Sequence, residues 1–87
     1  MSASHVLKCW PEFFSEIWRG HKSFEIRRND RNFHEGDFLR IQEWSPETAL
    51  YSGRVIEARC GYMLREHDGL GVGFVIIQLE AIKREEA

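Results

Sequence analysis

Only one stretch of this chain repeats at helical spacing, and it is closed at both ends. Phe13, Phe14, Ile17 and Trp18 recur as one apolar stripe, with Glu12 and Glu16 in the N-terminal half. Pro11 stands where a first helical turn tolerates proline, and Gly20 where a helix ends in the left-handed region. A helix over about 11–19 follows. Everything after Gly20 alternates or turns.

The alternating runs predict strands at His5–Cys9, Ser23–Asn29, Phe38–Trp44, about Arg54–Met63 and about Phe74–Ile82. Asn29-Asp30-Arg31-Asn32 and Glu35-Gly36-Asp37 read as turns, Ser45 to Gly53 as a loop, and Arg65 to Gly73 as a glycine-rich connection. Five or six mostly antiparallel strands with one N-terminal helix give an α+β class and a small β-pseudobarrel, since closure hides strand edges. At 87 residues the chain is one domain, 1–87, with frayed ends expected at about 1–4 and 83–87.

No segment reaches the roughly 20 apolar residues of a membrane helix, and the N-terminus lacks signal-peptide regions, so a cytoplasmic protein is expected; it is separately expected to be a monomer. Cys9 and Cys60 lie in apolar runs and read as buried free thiols. His5, His21, His34 and His67 show no short metal-ligand spacing with each other or with the cysteines, so no metal is assigned. No motif calls for a cofactor.

The net charge of −2 is unevenly spread. Residues 19–31 hold five basic and two acidic side chains, leaving seven basic against twelve acidic elsewhere. One basic patch on an acidic body points to a local anionic partner. Within it, Lys22, Glu25 and Arg27 lie at the entrance of the second strand. Alternation puts Phe24 and Ile26 on one face, expected to be core, and Glu25 and Arg27 on the other. Two cations flanking a carboxylate can grip a phosphate, orient a base edge or tune a general base. A solvated strand face has the same composition.

Gly20-x-Lys22-x-x-Glu25-x-Arg27, straight after a helix, resembles the signature of ASCH domains in the PUA-like superfamily. Leu7-Lys8-Cys9-Trp10-Pro11, Phe24 to Arg31, Gly36-Asp37-x-Leu39 and Glu43-Trp44 resemble the DUF3850 subgroup. The resemblance implies a pseudobarrel plugged by a helix, with a cleft lined by the signature residues. It implies binding of RNA or a nucleotide fragment there. Lys22, Glu25 and Arg27 would form the centre, Lys8 would enter it, and Arg28, Asn29 and Arg31 would form its rim. Trp10 and Trp44 are candidates for base stacking, although Trp10 can equally staple the helix start and Trp44 close the barrel end.

The alternative is a hydrolase of amidohydrolase or ribonuclease type acting on a modified nucleoside or RNA, with Lys22 and Glu25 as its catalytic pair. The amidohydrolase relatives carry a threonine nucleophile where this chain has Glu25, and Ser23 lies two residues away. Binding is therefore the favoured expectation. Arg40, Gln42, Arg54, Glu57 and Arg59 read as ordinary exposed positions.

Overall fold

A computed structural model describes residues 2–86; Met1 and Ala87, which belong to the two ends expected to fray, lie outside the described residues. The order is β1 (Ser4–Cys9), α1 (Pro11–Trp18), β2 (Phe24–Arg28), β3 (Phe38–Ser45), β4 (Leu50–Leu64) and β5 (Phe74–Glu86). The five strands form one sheet in the order β1-β3-β4-β5-β2. The β1/β3 pair is parallel and the other three pairings are antiparallel.

The sheet curls into a half-barrel. Its long strands carry register shifts between Gln42 and Trp44, Glu57 and Arg59, and Cys60 and Met63. Each irregularity bends its strand and increases the twist. The two edge strands, β1 and β2, face each other across an open seam that two arginines bridge. Arg27 Nη2 donates to the Lys8 carbonyl at 2.6 Å, and Arg31 Nη1 to the Val6 carbonyl at 2.6 Å. Side chains thus complete what backbone pairing leaves open.

Helix α1 lies over one end. Phe14 and Ile17 are fully buried and join Leu7, Leu39, Ile41, Ile56 and Ile77 in the core. The helix ends as its sequence requires. Gly20 takes φ +84° with its N–H on Ile17 O, while His21 N–H reaches Glu16 O at 2.9 Å. This paired closure satisfies the last carbonyls and turns the chain toward β2.

Several boundaries differ from the expectations. Strand β4 starts at Leu50, because the Pro46–Ala49 turn is tight: Ala49 sits at φ 56° and donates to Ser45 O. Residues 83–86 are not a frayed tail. They pair with residues 54–57 of β4, and Arg84 Nε donates to Trp18 O at 2.7 Å, supplying the cation that the last helical turn lacks. At the other end Ala3 N–H is held by Asp37 Oδ1 at 3.0 Å. Phe33, within the expected turn region, is a core residue at 1% exposure.

Candidate functional site at the mouth of the half-barrel

The helix closure delivers Lys22 to the entrance of β2, and alternation along β2 sends Glu25 and Arg27 to the same side. That side is the interior. Glu25 is 3% exposed, whereas Phe24 and Ile26 are 43% and 52% exposed. The expected polarity of β2 is therefore inverted, and Phe24 is not a core residue. The reason lies in position: β2 is an edge strand, and its inner face meets the seam and the polar mouth under α1. There an acid with two cations is better satisfied than a phenyl ring.

Glu25 is clamped from both sides. Lys22 Nζ donates to Oε1 at 3.1 Å and Arg27 Nε to Oε2 at 2.8 Å. One negative and two positive charges leave the cluster net positive. The Lys22 ammonium also lies 5.6 Å from the Phe13 ring centre and 5.3 Å from that of Phe24. Trp10 stacks on Phe13 at 6.4 Å with a 27° interplanar angle, and all three rings are about half exposed. An exposed aromatic crest thus surrounds a tethered cation.

Behind this cluster lies Cys9, and beyond it a second ion pair. Glu43, the register partner of Cys9, is 5% exposed and bound by Arg54 through two bonds of 2.9 Å. Ser52 Oγ adds a third bond, 2.5 Å to Oε1. The Arg54 hydrogen bonds hold the Glu43 carboxyl below its usual range despite burial. The Arg54 guanidinium lies 4.9 Å from the Trp18 ring and 5.4 Å from that of Phe14. Arg54 is therefore not an ordinary exposed residue but the support under α1. Period-two spacing contained the signal, since Glu43 shares a face with Leu39 and Ile41.

Other expected site residues lie elsewhere. The Lys8 side chain is on the outer face, over the Trp44 ring at 4.4 Å and 5.9 Å from Tyr51; only its carbonyl meets Arg27. Lys8 and Trp44 thus form an outer cation–aromatic pair, because the inward position at the end of β1 belongs to Cys9. Arg28 also faces outward, 4.9 Å from the ring of its partner Phe74. Asn29 accepts the Phe33 N–H at 3.0 Å and lines a separate recess of about 500 Å³ with Arg65, His67 and Phe74. Arg31 belongs to the seam. Trp10 does not staple the helix start but rests on Phe13.

Asp37, expected as a turn residue, is a buried polar centre just before β3, at the far end from Glu43. It accepts from Ala3 N–H, His34 N–H and His5 Nε2 at 2.9–3.0 Å. Among the described residues, no group of three or more His, Cys, Asp and Glu side chains could hold a metal ion, and no helix is long and apolar enough to cross a membrane.

Fold and site together define a small α+β half-barrel domain with a buried carboxylate clamped by two cations at its mouth. Residues 4–79 match the family described as "Domain of unknown function (DUF3850)", and the chain belongs to that family. It is also 36% identical over 59 residues to an "Uncharacterized 12.9 kDa protein in GpA 3'region" of Escherichia phage P2. That alignment covers 68% of this chain and 52% of the phage protein, so the chain spans about half the length of the curated relative it matches.

Proposed function

We propose that this domain binds single-stranded RNA, or a nucleotide fragment of it, at the mouth of the half-barrel, in the manner of an ASCH-type PUA-like domain. The observation that carries the reading is the Lys22 ammonium, tethered to Glu25 and flanked by the half-exposed rings of Phe13 and Phe24. A phosphate needs the cation, and an unpaired base needs an aromatic face beside it. Trp10, stacked on Phe13, extends that surface.

Hydrolysis is the weaker reading. Both Glu25 oxygens are engaged by cations, which favours a spectator carboxylate over a general base. The nearby Cys9 thiol is pushed up to about 12, chiefly by burial and next by the Glu25 carboxylate, so it is no nucleophile at neutral pH. The Ser52 hydroxyl is committed to Glu43.

The test is fluorescence anisotropy with a labelled adenosine heptamer RNA at 50 and 200 mM salt, using wild type, Lys22→Ala and Phe13→Ala, each checked by thermal melting. Salt-sensitive binding is expected, weakened about tenfold by Lys22→Ala and on the order of 5- to 100-fold by Phe13→Ala. Absence of micromolar binding by the wild type at low salt overturns the reading.

A further inference from the structure

The seam between β1 and β2 has a chemistry of its own. Its floor consists of two guanidiniums, Arg27 and Arg31, each hung on one edge carbonyl of β1. Arg27 uses its Nε on Glu25 and one Nη2 proton on Lys8 O; Arg31 uses one Nη1 proton on Val6 O. A guanidinium carries five N–H groups, so each arginine retains several for an outside acceptor. Val6 and Ile26 point outward beside the seam, each about half exposed.

The spacing is set by the backbone. Val6 and Lys8 are two residues apart on one strand, so their carbonyls are spaced by about 6.5–7 Å. The arginines inherit that spacing, which is close to the step between neighbouring phosphates of an extended single strand. A row of forked cations with apolar shoulders suits a phosphodiester chain with its bases turned aside.

We infer that the seam is a two-phosphate track: a single RNA strand entering at the aromatic crest continues along β1, with its first phosphate shared by Lys22 and Arg27, the two cations on Glu25, and the next on Arg31. This rests on the RNA-binding reading above and adds a length requirement to it. Arg31 is a binding residue of the second step only, and a mononucleotide at Lys22 does not reach it.

The experiment measures binding of pA, pApA and pApApA to wild type, Arg31→Gln and Arg31→Lys. Equal melting temperatures establish that the fold survives each substitution. Wild type is expected to gain on the order of tenfold from pA to pApA, as a charge-assisted contact provides. Arg31→Gln should lose that gain while binding pA as wild type does, and its salt slope on pApApA should fall by about 0.7. Arg31→Lys should keep part of the gain. If pApA binds wild type and Arg31→Gln with the same advantage over pA, the track is wrong although the mouth binds RNA. If none of the three ligands binds the wild type, both readings fall together.

Discussion

Cys9 and Glu43 are direct register partners on β1 and β3, and the charge of Glu25, on the strand across the seam, acts on the same thiol. A buried sulfur thus feels two carboxylates, each paired with its own arginine, Arg27 or Arg54. The arrangement explains why charged side chains fill the mouth without breaking the fold: every acid there has its cation in hydrogen-bond contact.

The thiols should be chemically silent in the native protein. Burial, and then neighbouring carboxylates, push Cys9 up to about 12 and Cys60 up to about 11. Iodoacetamide at pH 8 is expected to modify neither until urea unfolds the chain, when both react. Mass spectrometry of native and unfolded samples checks this, and rapid native labelling of Cys9 would place it at the surface.

Glu25 should matter more for stability than Lys22. Removing the acid leaves two neighbouring cations without their shared partner, whereas Lys22→Ala leaves Arg27 on the carboxylate. Glu25→Gln is expected to cost about 3 kcal/mol in urea unfolding, and Lys22→Ala about 1 kcal/mol. The reverse order would mean that the clamp does not hold β2.

Phe24 and Phe14 offer a contrast between two rings. Phe14 has no exposed surface, so Phe14→Ala is expected to cost about 3–5 kcal/mol. Phe24→Ala, at a half-exposed position, is expected to cost about 1 kcal/mol or less. Chemical denaturation of the two variants checks that Phe24 faces outward from β2 while Phe14 of α1 lies in the core.

Acid stability should depend on Asp37. Burial raises its pKa, but hydrogen bonds from His5, Ala3 N–H and His34 N–H outweigh this, so the folded value lies below the ordinary 3.8. A depressed carboxyl contributes stability that is fully present above its unfolded pKa and lost as pH falls through the folded one. Thermal midpoints should therefore drop for the wild type below about pH 4. Asp37→Asn should start lower and show a shallower acid decline; an unchanged decline would assign it to other carboxylates.

The sequence made the local punctuation legible. Pro11 and Gly20 bound the helix because proline at a first turn and glycine at a positive φ follow from backbone geometry alone. The grouping of Lys22, Glu25 and Arg27 was legible for the same reason, since three-residue and two-residue offsets at a strand entrance keep them close. The direction in which β2 faces was not. Period two separates Phe24 from Glu25 without stating which side is the interior, and an edge strand over a polar mouth reverses the usual choice. Long-range partners were hidden as well: Arg84 on Trp18 O and Arg31 on Val6 O span most of the topology.

An unpaired strand edge invites another chain to add to it, and β1 offers such an edge at Val6 and Lys8. The two arginines occupy those acceptors with groups that end in charge and cannot continue a ladder. The same contacts that let a five-stranded sheet stop short of closing therefore take two backbone acceptors of the β1 edge away from any strand that would pair there.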